Sequence, residues 1–100
     1  MNILKIKNGK VELRKDNGTL LRTIGNSGAV NANINNEGSL ILVTTSKGKV
    51  ELRKENGTLV RTFGKGDATN AKFSGSDILI TTLKGKTEVR KENGTLIRTI

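Results

Sequence analysis

The chain has 100 residues, one domain's worth, with 18 Lys and Arg against 9 Asp and Glu and a net charge of +9. It has no Cys, His, Trp or Tyr, which excludes a disulfide framework, thiolate metal sites and histidine acid–base chemistry. Leu, Ile, Val and Phe make up 28% of it, above the roughly 20% below which disorder is the default.

No apolar run approaches the roughly 20 residues of a membrane helix. The N-terminal "MNILKIKNGK" lacks the charged-then-apolar layout of a signal peptide. Together with the absence of Cys, this predicts a cytoplasmic protein without a membrane partner. The excess of Lys and Arg favours anionic partners, or else serves solubility alone.

In chain order, one phrase returns three times. Gly9 to Ile24 reads "GKVELRKDNGTLLRTI", Gly48 to Phe63 reads "GKVELRKENGTLVRTF", and Gly85 to Ile100 reads "GKTEVRKENGTLIRTI". Against the middle copy the first keeps 13 of 16 residues and the last 12 of 16. The likeness extends upstream. "VNANI" (Val30–Ile34) answers "TNAKF" (Thr69–Phe73), and "ILVTT" (Ile41–Thr45) answers "ILITT" (Ile78–Thr82). A single repeat domain, residues 1–100, therefore divides into units at about 1–24, 25–63 and 64–100.

Each unit reads as strands. Its segments alternate or are rich in β-branched residues, Gly recurs every eight to ten positions, and no apolar stripe has a helical period. The first unit supplies strands b, c and d; it starts too late to own a strand a. The next two supply a, b, c and d each, giving eleven strands. Strand a ("AVNANI", "ATNAKF") carries small Ala residues at alternate positions, suited to a place where strands converge.

Turn signals set the expected register. Asn17-Gly18, Asn56-Gly57 and Asn93-Gly94 suit two-residue hairpin turns, which need positive φ at both positions. Asn8-Gly9, Lys47-Gly48 and Lys84-Gly85 hold the equivalent b–c position. In the middle unit this pairs Lys54 with Leu59, Leu52 with Arg61 and Val50 with Phe63. Across the b–c turn it pairs Thr45 with Val50, Val43 with Leu52 and Leu42 with Arg53. One face then holds Ile41, Val43, Val50, Leu52, Leu59 and Phe63 with Arg61. The other holds Leu42, Thr44, Glu51, Arg53, Val60 and Thr62, with Glu51 and Arg53 suited to pair side by side.

Four-stranded units at a period near 40 are the signature of a β-propeller. At "GKVELRKENGTLVRTFG" the sequence resembles the end of a WD-repeat blade, and "VNANINNEGSLILVTTSKG" resembles its first half. The likeness departs at the family's Trp-Asp positions, filled by Arg14 and Lys15, Arg53 and Lys54, and Arg90 and Lys91. The Gly-His pair is also absent. Short basic repeats of this kind are similar to uncharacterised bacteriophage proteins as well. The fold class implied is all-β, with antiparallel four-stranded blades forming a partial β-propeller of about two and two-thirds blades. A ring of typically 4–8 blades is then completed by oligomerisation, with a dimer favoured and a trimer possible. An open monomeric arrangement of three meanders is the alternative.

The candidate chemistry is sparse. Glu12, Glu51 and Glu88 sit on a strand face, and Asp16, Glu55 and Glu92 beside a turn, each with a Lys or Arg neighbour. Ion pairing accounts for them better than a catalytic carboxylate pair. No phosphate-loop or metal spacing occurs, so no cofactor and no enzyme activity are expected. Lys7 and Lys10, Lys47 and Lys49, and Lys84 and Lys86 mark the three b–c turns. With Lys65 in a d–a connection, they form the candidate anion-binding set on one face of a ring. The alternative is that they are solvated and discourage edge pairing. Arg22, Arg61 and Arg98 interrupt apolar strand faces, where they snorkel at a blade edge or pair across a subunit contact. The implied function is a protein-interaction or structural scaffold, with capture of a nucleotide or nucleic-acid backbone as the alternative.

Overall fold

The computed structural model describes residues 2–25, 28–63 and 66–100. Eleven strands lie among them. β1 (Asn2–Lys7), β2 (Lys10–Lys15) and β3 (Leu20–Ile24) form a three-stranded sheet. β4 (Ala29–Ile34), β5 (Leu40–Thr45), β6 (Val50–Lys54) and β7 (Leu59–Phe63) form the second sheet. β8 (Ala68–Ser74), β9 (Asp77–Thr82), β10 (Thr87–Lys91) and β11 (Leu96–Thr99) form the third. Every neighbouring pair is antiparallel and consecutive in sequence. Each sheet is thus a meander, and the first lacks strand a as expected.

The sheets stack face to face through two apolar layers. The first joins Val11, Leu13 and Ile24 to Ala29, Ile41 and Val43 of the second sheet. The second joins Leu42, Val50, Leu52 and Phe63 to Ala68, Ala71, Ile78 and Ile80 of the third. The middle blade is therefore covered on both faces. Strand β4 lies against both β1 and β8, so the a strands are innermost. The Asn31 side-chain amide donates to the Asn70 carbonyl oxygen, and Asn33 donates to the main chain of Ala71 at 2.5 Å. The alternating Ala residues of strand a keep this convergence narrow.

The expected register holds in one hairpin and fails in another, and loop length is the reason. In the c–d hairpin Val50 pairs with Phe63 and Leu52 with Arg61, as expected. The turn itself is longer by one residue. Lys54 accepts from the Gly57 amide and donates to Thr58 O, both at 2.9 Å. Gly57 has positive φ, whereas Asn56 does not. This is a three-residue loop with a glycine bulge, and Lys54 does not face Leu59; Arg53 does. A second irregularity between Leu52 and Arg53 restores the outer pairing.

The b–c hairpin of the middle blade has no such correction. Its turn spans Ser46, Lys47 and Gly48, closed by Thr45 N donating to Lys49 O at 2.8 Å. Lys47 avoids the left-handed region that is costly for it. Thr44 therefore pairs with Val50, Leu42 with Leu52 and Ile41 with Arg53. A one-residue slip moves a strand's side chains to the opposite face. Leu42 and Thr44 share a face with Val50 and Leu52, while Ile41 and Val43 lie with Glu51 and Arg53. The expected faces are corrected accordingly, and the third blade repeats the change with Thr81 opposite Thr87. Only the first b–c turn has the two-residue form. Asn8 (φ 53) and Gly9 (φ 77) are both left-handed there, and Lys7 faces Lys10.

Candidate functional surface

The b–c turns and the d–a connections share one edge of the stack. Ala29 N donates to Gly9 O at 2.8 Å, and Ala68 N to Gly48 O at 2.9 Å. Each connection thus returns onto the b–c turn of the preceding blade. The approach at Gly48 is close enough that a Cβ there would strike the Gly66 carbonyl. A glycine is needed at that point for space as well as for its φ of 79°.

This edge presents Lys7, Lys10, Lys47, Lys49, Lys84 and Lys86, all exposed. They stand as three pairs, one beside each turn. Lys65 lies outside the described residues. Lys47 and Lys49 line an open cleft of about 650 Å³ with Thr45, Ser46, Glu51 and Thr62. Among the described residues Asp67 is the one acid in this edge's turns and connections, and Glu51 reaches the cleft from its strand. The opposite edge, with the a–b and c–d turns, carries Lys15, Lys54 and Lys91 among Asp16, Glu37, Glu55, Asp77 and Glu92. Positive charge is therefore concentrated on the b–c edge.

The strand-borne acids are engaged. Glu51 Oε1 accepts from Arg53 Nε at 3.0 Å, as Glu88 does from Arg90. Arg14 holds Glu12 through two nitrogens at 2.8 and 3.0 Å. The same arginines reach on to the main-chain carbonyls of Gly18, Gly57 and Gly94. A Glu–Arg–carbonyl brace thus stands where a WD blade has its Trp-Asp positions. The Arg14 guanidinium holds the Glu12 carboxyl below the usual carboxylate range, with smaller contributions from Lys7 and Lys5 and some opposition from desolvation.

The arginines on the d strands do something sequence reading left open. Arg22 donates to Asn56 O at 3.4 Å, and Arg61 donates to Asn93 O at 2.8 Å. Each reaches from its own blade to the c–d turn of the next. Their regular spacing against a repeated Asn-Gly turn was the available signal. Among the described residues no cluster of Asp and Glu is arranged to hold a metal ion. Nor is any helix among them long and apolar enough to cross a membrane.

The stack is similar to known propeller structures. It matches the WD40 β-propeller domain of Doa1 with a TM-score of 0.78 at 18% identity, covering 99% of this chain and 36% of that one. It matches BamB from Moraxella catarrhalis with a TM-score of 0.70 at 11% identity, covering 97% of this chain and 33% of that one. The chain thus spans about a third of the length of either structure, and the fold is that of a partial β-propeller. No curated protein matches the sequence. A family model does, one described for the Helicobacter pylori IceA2 protein rather than for a bacteriophage protein; it matches residues 1–55, and the chain belongs to the IceA2 family.

Proposed function

We propose that the chain is a non-enzymatic scaffold module of propeller blades that assembles with copies of itself and presents the resulting ring to a protein partner. The observation that carries this reading is the unequal cover of equivalent side chains. Ile24 and Phe63 end their d strands at 0% and 4% exposure beneath the next blade, whereas Ile100, in the same place, is 75% exposed. A strand end that is covered at the inner junctions and open here is what a blade-to-blade interface leaves exposed. Engagement of Glu12, Glu51 and Glu88 by arginines also argues against a free carboxylate pair for acid–base catalysis. Two chains supply six blades, within the usual 4–8, two of them lacking strand a. Light scattering at micromolar concentration tests the assembly. The expected mass is twice that of one chain, and a monomer at that concentration refutes it.

Charge segregation favours a second reading, capture of an anionic ligand along the b–c edge. The candidates are Lys7, Lys10, Lys47, Lys49, Lys84 and Lys86, with Lys65 as a further one. Phosphate contacts by several lysines give an affinity that falls steeply with salt. A short DNA duplex titrated at about 50 and 200 mM salt should bind at the lower concentration and be released at the higher. Alanine at both Lys47 and Lys49 should weaken it. No binding at low salt eliminates this reading and leaves the scaffold reading intact.

A further inference from the structure

The two blade junctions inside the chain follow one rule. The d-strand arginine reaches the carbonyl of the next blade's c–d turn, as Arg22 does to Asn56 and Arg61 to Asn93. The apolar residue two positions later lies over that turn's glycine. Ile24 Cδ1 is 3.9 Å from where a Gly57 Cβ would stand, and Phe63 Cε1 is 3.5 Å from the same point at Gly94. The third d strand ends with the same pair, Arg98 and Ile100, and there the apolar residue is 75% exposed.

The receiving half of the junction is present at the other end of the chain. Asn17-Gly18 forms the same turn, with Gly18 N donating to Lys15 O at 2.8 Å. Among the described residues nothing lies within 4 Å of where a Gly18 Cβ would stand. The remaining differences at the two end faces match in kind. Thr87 stands where Val11 and Val50 stand in the other blades, and Lys5 stands where Val43 and Ile80 do. Inside the chain those two positions meet, since Val11 shares a layer with Val43, and Val50 with Ile80. Both sides of the open junction are thus polar at the point where both sides of the closed ones are apolar. The two open faces also carry Arg98, the 75%-exposed Ile100 and the 46%-exposed Ile3.

We propose that a second copy of this chain docks head to tail, with Arg98 and Ile100 of one copy seated on the Asn17-Gly18 turn of the other. This rests on the self-assembly reading and specifies its joint. The contact is heterologous, and two such joints close a cyclic dimer. Arg98 donates to the main-chain carbonyl of Asn17, and Ile100 covers Gly18.

Two measurements test the joint. Sedimentation equilibrium compares the wild type with Arg98→Ala, with circular dichroism to confirm that the variant is folded. Loss of a hydrogen bond from a charged group should weaken dimerisation about tenfold or more. Because the chain has no Cys, single-cysteine variants report geometry without background. Ile100→Cys mixed with Asn17→Cys should form a disulfide-linked pair under mild oxidation, whereas either variant alone should not. A wild-type dimer insensitive to Arg98→Ala, or one that cross-links only Ile100→Cys to itself, overturns the head-to-tail joint and leaves self-assembly standing. A wild-type monomer overturns both.

Discussion

The middle and last blades carry nearly the same hairpin, yet its residues live in different surroundings. Val50, Leu52 and Phe63 are buried. Their counterparts Thr87 and Val89 are half-buried, and Ile100 is exposed. Local structure is the same in both. The turns close with the same hydrogen bonds, Gly57 N to Lys54 O and Gly94 N to Lys91 O, both at 2.9 Å. The Glu–Arg braces also repeat at the same 3.0 Å. The phrase thus encodes a hairpin, and burial is conferred by the blade that follows. In a stack of repeats each unit contacts its neighbours alone, so the end unit exposes what the inner one hides.

The largest effect that probes this difference comes from the core side chain at the junction. Leu52→Ala leaves a cavity between two blades and should cost about 2–5 kcal/mol. Val89→Ala, at the same place in the last blade, should cost less than about 1 kcal/mol in dilute monomer. Urea unfolding of both variants measures the gap. Equal losses would mean that the last hairpin is covered in solution, which concentration dependence would then trace to a second copy.

A smaller contrast lies in the b–c turns. Gly48 and Gly85 have nearly equal φ values of 79° and 81°, so alanine strains both backbones alike, by about 1–2 kcal/mol. At Gly48 the added Cβ strikes the Gly66 carbonyl; at Gly85 it meets nothing within 4 Å among the described residues. Gly48→Ala should therefore lose about 1–3 kcal/mol more than Gly85→Ala. Thermal melts of the pair at one protein concentration read this directly.

The same contrast explains what sequence could reveal. Repetition and Asn-Gly turns gave eleven strands, their order and the missing first strand, because hairpin signals are local. Register on the c–d side was legible as well, since the bulge near Leu52 offsets the extra loop residue. On the b–c side it was not. "SKG" closes as a three-residue loop because Lys47 resists positive φ, and a single residue moved Ile41 and Val43 to the other face. The place of Lys7, Lys10, Lys47, Lys49, Lys84 and Lys86 beside the b–c turns was legible, because a hairpin signal fixes where its turn lies. The arms of Arg22 and Arg61 were not, because a bond from one blade to the next depends on stacking that no single repeat encodes.

Those arms supply the third contrast. Arg61→Ala removes a charge-assisted bond to Asn93 that lies at an exposed edge, and should cost about 1 kcal/mol. Arg98 makes no side-chain hydrogen bond or ion pair among the described residues, and Arg98→Ala should leave the stability of the dilute monomer within about 0.5 kcal/mol of wild type. A loss at Arg98 as large as at Arg61, measured by urea unfolding below the dimerisation range, would break the parallel between closed and open junctions.

The smallest effect belongs to the outer face of the first blade. Glu12 pairs across the strands with Lys5 and is held by Arg14. Its carboxyl titrates below the usual glutamate range because of the Arg14 guanidinium, so the fold favours the ionised form. That contribution is in full force above the unfolded value and disappears as pH falls through the lower, folded one. Glu12→Gln abolishes it, so the variant's stability should fall less steeply than the wild type's on acidification below about pH 5. Wild-type and variant melting curves taken between neutral and acid pH should converge at the acid end. Parallel curves would show that the carboxylate's bonds to Arg14 add nothing to the folded state, and that the first blade is held by its apolar layer alone.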